Sequence, residues 1–238
     1  MLRIIDARTS EPAPAAPARR GPTRVEAHAP VRDTTGLRVL LVADLLVRAL
    51  ELDGTPTWAL LAGANEWAGL RADAAALGIR PFEDGAAGTG PGAGQAVHVV
   101  REGTVAPDGT TVAVAPVDAA GQAATVHPDA LRLALLEWHH HARVELDEAV
   151  LDDARDTLAR WRRAVAAWAR QPSRPVPGEV RDQLRAAWEG DLDAPAVLRV
   201  LRRVETDADL PDGARFETYA YADRFLGLHL ARDIGAPA

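Results

Sequence analysis

Short apolar runs alternate with helical patterns along the first half of the chain, up to about residue 120. A helical pattern covers residues 34–52, where Thr34 or Thr35 can cap the first turn and Asp53-Gly54 ends the helix. A second helix begins after Asn65. Three short, largely apolar segments are typical of strands: residues 2–6, 23–28 and 57–62. Strand, helix and strand with short connections form a βαβ unit, which predicts a Rossmann-like parallel sheet.

The middle of the chain has weaker patterns. Residues 85–94 (GAAGTGPGAG) predict a flexible linker. No apolar strand leads directly into its glycines, as a phosphate-binding loop would require; they are Gly88, Gly90, Gly92 and Gly94. Residues 97–100 and 111–114 predict short strands, and Pro107-Asp108-Gly109 predicts a turn, so a small hairpin or an irregular extension is expected. Residues 11–22, rich in Pro, Ala and Arg, predict a loop.

From His127 onward the pattern is helical. Pro128 suits the first turn of a helix over residues 129–141. Apolar residues of the next helix are spaced 3, 4, 3, 4 and 3, as on the packing face of a bundle helix: Leu151, Ala154, Leu158, Trp161, Val165 and Trp168. Three more helices are predicted around residues 180–188, 193–204 and 216–226. We therefore predict an α/β domain over residues 1–120 followed by an all-α domain, a helical bundle, over residues 121–238.

The amino-acid composition excludes several kinds of binding and catalytic site. The chain has 238 residues and a formal net charge of −7, which argues against an electrostatic hold on DNA. It contains no Cys, which excludes disulfides, thiolate metal sites and cysteine nucleophiles. Every basic side chain other than His is Arg, which excludes phosphate-binding lysines and Schiff bases. We expect no membrane segment and no signal peptide, and hence a cytoplasmic location.

Several motifs of the helical half occur in the order of a known family. They are His127-Pro128-Asp129-Ala130-Leu131-Arg132-Leu133 followed by His139, Glu148-Ala149-Val150-Leu151-Asp152-Asp153-Ala154 followed by Leu158-Ala159-Arg160-Trp161, and Asp191-Leu192-Asp193-Ala194-Pro195 followed by Val197-Leu198. Over about residues 125–200 this run resembles the C-terminal part of class I cysteinyl-tRNA synthetases and of the related mycothiol-pathway ligase, which joins cysteine to glucosaminyl-inositol. The first half resembles the same family more faintly. The resemblance implies a Rossmann-like fold of the HUP type followed by a helical bundle.

The resemblance also implies a chemistry that can be compared position by position. In the family, zinc on Cys, His and Glu ligands holds the cysteine, the two histidines of a HIGH motif stabilise the triphosphate, and KMSKS lysines neutralise pyrophosphate. Here the zinc-ligand position falls near Ala27-His28-Ala29, and HIGH matches Asp33-Thr34-Thr35-Gly36-Leu37-Arg38 without a histidine. Residues 109–115, in place of KMSKS, contain no basic side chain. We therefore expect no zinc and assign no catalytic residue.

One ligand site survives this comparison. Asp33, Thr34, Thr35 and Gly36 precede a helix N-terminus in a βαβ unit, where backbone N–H groups suit an anion. Capping of the helix by Thr is the competing interpretation. With His28 and Arg38, these residues form the predicted nucleotide or ligand site, and ATP is the candidate cofactor. Arg101 is the other arginine expected near a bound phosphate.

Basic residues on two helices suggest a second site. Arg160, Arg163, Arg199 and Arg202 would contact tRNA if the helical half approached it as in the synthetases. Acidic neighbours such as Glu205 favour ordinary salt-bridged faces instead.

Three consecutive histidines, His139-His140-His141, form a candidate metal site. Adjacent residues of a helix point in different directions, so at most two of them could share an ion. A solvated helix end is therefore the favoured interpretation.

Together these features predict a truncated paralogue of the synthetase and ligase group that lacks the zinc site and the HIGH and KMSKS signatures. We expect it to act by binding, as a partner or regulatory subunit or as a receptor for a small ligand. Two alternatives stay open. One is a ligase-like or aminoacyl-transfer enzyme that uses ATP or aminoacyl-tRNA without zinc, and the other is a tRNA-binding module. The sequence does not identify the ligand, the partner or the oligomeric state.

Overall fold

The computed structural model describes residues 1–16, 21–62, 67–85, 96–106, 108–119 and 127–236. Its strands are β1 (Arg3–Asp6), β2 (Glu11–Pro14), β3 (Thr23–His28), β4 (Thr57–Ala62), β5 (Glu83–Asp84), β6 (Ala96–Arg101), β7 (Thr110–Val114), β8 (Val117–Ala119) and β9 (Val144–Leu146). Its helices are α1 (Thr34–Leu52), α2 (Trp67–Ala76), α3 (Pro128–Leu136), α4 (Glu148–Trp168), α5 (Gly178–Glu189), α6 (Ala194–Thr206) and α7 (Asp212–Leu226).

A five-stranded parallel sheet forms the first half, in the order β5-β4-β3-β6-β7. Strand β3 lies at its centre, and the register pairs Glu26 with His98 of β6, which in turn pairs with Thr111 of β7. All elements after β9 are helices. The predicted fold class, a Rossmann-like half followed by helices, is confirmed.

Helix α1 is the central element of the molecule. Asp33 caps its N-terminus by accepting a 2.7 Å hydrogen bond from the Gly36 N–H, so the cap is Asp33 rather than the predicted Thr34 or Thr35. From Thr35 to Leu50 every residue except Arg48 is buried, because α1 packs between the sheet and helix α7. A helix with apolar residues on nearly every side is typical of one that is buried in a protein core.

Two predictions for the first half of the chain are wrong. Strands β6 and β7 are parallel neighbours in the main sheet, not a hairpin. Residues 11–14, predicted as loop, form β2, which pairs antiparallel with β1 at the edge of a two-stranded sheet. Proline is tolerated there because an edge strand need not donate every N–H. The predicted linker beyond residue 85, Pro107 and Asn65 lie outside the described residues.

Helix α3 ends at Leu136, five residues before the predicted end. The carbonyls of Trp138, His139 and Ala142 accept hydrogen bonds from the Arg38 guanidinium, and the Ala142 N–H closes a turn on the His139 carbonyl. The three histidines therefore lie in a turn, and not on a helix.

A cluster of arginines around one carboxylate joins the two halves. Asp44 of α1 is 1% exposed and lies 2.8 Å from Arg48 Nε, 3.0 Å from Arg80 Nε and 2.9 Å from a terminal nitrogen of Arg132 on α3. Gly227, at the end of α7, has φ +62°, and a Cβ there would lie 2.6 Å from Arg132. We call Asp44 and these three arginines the Asp44 cluster.

The apolar core runs through both halves without a break, from Val25 and Val97 of the sheet to Trp161 and Phe225 of the helices. The predicted apolar face of α4 is confirmed from Ala154 to Trp168, whereas Leu151 is only partly buried. The division at residue 120 stays a prediction. Within the described ranges, no helix combines the length and the hydrophobicity that a bilayer-spanning helix needs.

Candidate functional site

The order of the sheet strands predicts a ligand-binding crevice beside α1. The chain leaves β3 through α1 towards β4, whereas it leaves β6 in the other direction, towards β7. In open parallel sheets, ligands bind where the connections diverge in this way, outside the carboxyl ends of the two strands. Here that point lies between His28 at the end of β3 and Arg101 at the end of β6, with the α1 N-terminus above them.

The Asp33 carboxylate caps the N-terminus of α1. Besides capping Gly36, Asp33 accepts hydrogen bonds from one terminal nitrogen of Arg101, at 2.6 Å to one oxygen and 2.5 Å to the other. Both side chains are about one-third exposed, so the pair is accessible to solvent. Asp33 therefore occupies the position that an anion would take at this helix N-terminus.

The other residues of the predicted site have structural roles. Thr35 is buried, and its hydroxyl accepts a 3.0 Å hydrogen bond from the Val117 N–H. Gly36 lies against the Val31 carbonyl so closely that any Cβ would overlap it. Thr34 is half-buried in the first turn of α1.

Arg38 is buried among backbone carbonyls. Its guanidinium is 1% exposed and donates to the carbonyls of Ala115 (2.9 Å), Ala142 (2.7 Å) and His139 (2.8 Å), and to that of Trp138. Burial lowers the pKa of Arg38 to about 10. The structure thus brings Arg101, not Arg38, to Asp33, and a ligand role for Arg38 stays a prediction.

His28 belongs to a group of polar side chains on the sheet, which we call the sheet-face cluster: Glu26, His28 and His98. His28 Nε2 lies 3.0 Å from His98 Nδ1, and a Glu26 oxygen lies 3.2 Å from the same nitrogen. His98 is 1% exposed. Burial, together with the charge of His98, lowers the pKa of His28 despite the opposing effect of Glu26.

The donor atoms of the sheet-face cluster lie within 4.8 Å of one another, a spacing that one metal ion could bridge. Each already has a neighbour, however. His98 Nε2 lies 3.3 Å from the Asp108 carbonyl, and Glu26 is paired with Arg24 at 2.6 Å. The cluster is therefore a satisfied hydrogen-bond network as it stands. Sequence analysis missed Glu26 and His98, although the alternation of β3 places Glu26 and His28 on one face.

Three of the four arginines predicted to contact RNA are paired with acidic residues. Arg160 lies 2.8 Å from Glu205, Arg202 pairs with Glu137, and Arg199 lies 3.6 Å from Asp193. Arg163 is exposed. These pairs fit the alternative of salt-bridged helix faces.

Comparisons with known proteins identify partial relatives. The chain is 39% identical over 109 residues, 45% of its length, to an L-cysteine:1D-myo-inositol 2-amino-2-deoxy-alpha-D-glucopyranoside ligase of Acidothermus cellulolyticus. It is 44% identical over 109 residues to the ligase of the same name from Streptomyces scabiei. Each match covers 26% of the relative, so the chain corresponds to about a quarter of these enzymes. No protein-family model matches the chain. Part of the chain is thus similar to cysteine ligases, in agreement with the resemblance of the motifs.

Proposed function

We propose that this chain is a non-catalytic relative of the cysteine ligases, which acts by binding a small ligand or a protein partner at the crevice beside α1. The observation that carries the proposal is the Asp33 carboxylate at the α1 N-terminus, held there by Arg101. The similarity to cysteine ligases supports the relationship, and the chemistry of this position supports the loss of catalysis.

Adenylation needs positive partners for phosphate oxygens. The negative charge of the transferring group grows in the transition state, and removing a single donor for it costs about 3–4 kcal/mol of the barrier. In this chain the helix N-terminus, a natural anion site, faces a carboxylate instead. Arg101, the arginine that contacts this helix cap, is already paired with that carboxylate. A triphosphate would have to displace Asp33 both from the α1 N-terminus and from Arg101.

The experiment is ATP–pyrophosphate exchange, the partial reaction of adenylation. We expect no exchange above background with L-cysteine or with the other standard amino acids. The same chain is then tested by thermal shift against ATP, L-cysteine and the glucosaminyl-inositol after which the related ligases are named. Exchange that is abolished by Arg101→Ala would establish the alternative, a ligase-like enzyme, and would overturn the proposal.

A substitution at the helix cap tests the same idea in the opposite direction. Asp33→Ser keeps a hydroxyl cap for α1 but removes the negative charge and frees Arg101. We expect ATP and pyrophosphate to bind about tenfold more tightly to this variant, since a freed guanidinium and a helix N-terminus together contribute on the order of 1–2 kcal/mol. Isothermal titration calorimetry measures the change.

The matched control is Asp53→Ser, which removes the same charge from the other end of α1. We expect no gain in affinity there, because the helix C-terminus repels anions. Equal gains in both variants would show that only net charge matters and that the crevice is not an anion site.

A tRNA-binding module is the remaining alternative. Since three of the four arginines are already paired, we expect filter binding of tRNA to be weak at 150 mM salt and to show no difference between the native chain and Arg163→Ala. Tight binding that falls steeply with salt and depends on Arg163 would establish this alternative.

A further inference from the structure

The three consecutive histidines converge on the carboxylate of Asp191, which is about 50 residues away in sequence. Arg38 holds the turn after α3 through the carbonyls of residues 138, 139 and 142. This brings the rings of His139 and His140 to 4.4 Å between centroids, and those of His140 and His141 to 4.0 Å. The objection that neighbouring residues diverge applies to a helix, and these three do not lie on one.

Asp191, between α5 and α6, completes the group. One of its oxygens lies 3.0 Å from His141 Nε2 and 3.6 Å from His139 Nε2, and the other lies 3.8 Å from His140 Nε2. Asp191 has φ +63°, a left-handed conformation that is uncommon for residues other than glycine. The Ile5 N–H donates a 2.7 Å hydrogen bond to its carboxylate, which fixes the direction of the carboxylate.

His140 supplies independent evidence for a missing ligand. It is 4% exposed, and neither of its ring nitrogens has a hydrogen-bond partner within the part of the chain that the structure describes. A buried polar group without a partner is costly, and such groups are rare in native proteins. The sheet-face cluster differs in this respect, since each of its members has a hydrogen-bonding neighbour.

We propose that His139, His140, His141 and Asp191 bind one divalent first-row transition-metal ion, with zinc as the best match. Zinc takes imidazole nitrogens and carboxylate oxygens at about 2.0–2.2 Å in a tetrahedron, which places ligand atoms roughly 3.3–3.5 Å apart. The distances from Asp191 to the three rings, 3.0–3.8 Å, bracket that value. All four donors lie within 4.8 Å of one another, so small side-chain movements would close the site.

The position of this site suggests a structural role. The site contains the turn after α3 and the α5–α6 connection, and Asp191 is bonded to β1 through Ile5 and Arg3. A bound ion would therefore connect three segments that are distant in sequence. His139 and His141 are about one-third exposed, and His141 borders an open groove of about 650 Å³, so an ion can enter from solvent.

Zinc titration of the untagged, full-length chain tests the proposal. After dialysis against EDTA, we expect calorimetry and elemental analysis to give one zinc ion per chain in a His28→Gln background, which removes a ligand of the sheet-face cluster. At a hundredfold excess of free zinc over Kd, the melting temperature should rise by roughly 5–10 °C. Copper and nickel should also bind, in line with the general order of affinities for such donors.

Two variants identify the ligands in that same background. The double variant His139→Ala/His141→Ala changes only partly exposed side chains, and it should lose the bound zinc and the thermal shift. Asp191→Asn keeps an acceptor for Ile5 and a residue type that tolerates positive φ, and it should weaken zinc binding by at least tenfold. The control His127→Ala, an exposed histidine outside both clusters, should bind zinc normally. Zinc retained by the double variant, or no zinc bound by the parent, would overturn the proposal.

Discussion

Asp44→Ala is expected to lower the free energy of unfolding by about 3–5 kcal/mol, the usual cost of leaving a buried charge without its partner. Asp44 accepts from Arg48, Arg80 and Arg132, and Arg132 is buried as completely as Asp44 itself. Arg132 would keep its bonds to the Leu226 and Leu77 carbonyls but would lose its only carboxylate among the contacts described. Burial already lowers the pKa of Arg132 despite the nearby Asp44 charge.

Urea denaturation followed by circular dichroism measures this loss. Glu51→Ala is the matched control, because Glu51 also pairs with Arg80 but is exposed, and we expect its effect to stay within about 0.5 kcal/mol. A loss below about 1 kcal/mol for Asp44→Ala would contradict the idea that this carboxylate joins the two halves.

Low pH should also remove the contribution of Asp44 to the free energy of unfolding. Burial raises the pKa of Asp44, but the charges and hydrogen bonds of Arg132 and Arg48 outweigh that effect and hold the pKa below its ordinary value of 3.8. A carboxyl group whose pKa is lower in the folded state stabilises the protein above the unfolded-state pKa and loses this contribution as the pH falls through the folded-state pKa. The difference between the native chain and Asp44→Ala should therefore be constant above about pH 5 and shrink below pH 4.

Arg38→Lys is expected to lower the free energy of unfolding by about 2–4 kcal/mol although it preserves the charge. Four carbonyls accept hydrogen bonds from the planar guanidinium of Arg38, which is almost completely buried. An ammonium group cannot reach all four in this geometry, and each buried carbonyl left without a donor costs about 1–3 kcal/mol. Only a planar guanidinium, with its several N–H groups, can donate to all four carbonyls.

Thermal and urea unfolding of Arg38→Lys measure the effect, with Arg160→Lys as the control. Arg160 forms an exposed pair with Glu205, so the same exchange there should change stability by less than about 0.5 kcal/mol. Equal effects of the two substitutions would mean that the buried carbonyls do not depend on the guanidinium.

Local patterns predicted most of the fold. Strand β3, helix α1 and the apolar face of α4 each follow from periodicity over six or more residues, and α6, capped by Asp193, lies where a helix over residues 193–204 is predicted. The errors lie where distant residues decide the local structure. The early end of α3 depends on Arg38, about 100 residues away in sequence. The parallel pairing of β6 with β7 depends on their place in the whole sheet.

The candidate sites were predictable to a smaller extent. His28 and the α1 N-terminus follow from the βαβ pattern, and the structure has His28 at the end of β3 and the helix cap five residues later, at Asp33. The pairing of Asp33 with Arg101, the approach of His98 to His28 and the convergence of three histidines on Asp191 join residues 50 to 70 positions apart. No periodicity within a single segment contains such information, because it arises only when strands and turns are assembled.

The contact of Gly227 with the Asp44 cluster predicts which residues should vary together in related sequences. A side chain there would require a left-handed backbone and would also push into the guanidiniums of Arg132 and Arg48. The three residues thus depend on one another: Gly227 leaves room for the Arg132 guanidinium, and Asp44 neutralises its charge. In chains that share this architecture, the three should be inherited together or be replaced together, and this covariation would distinguish true relatives from chains that share only the helical motifs.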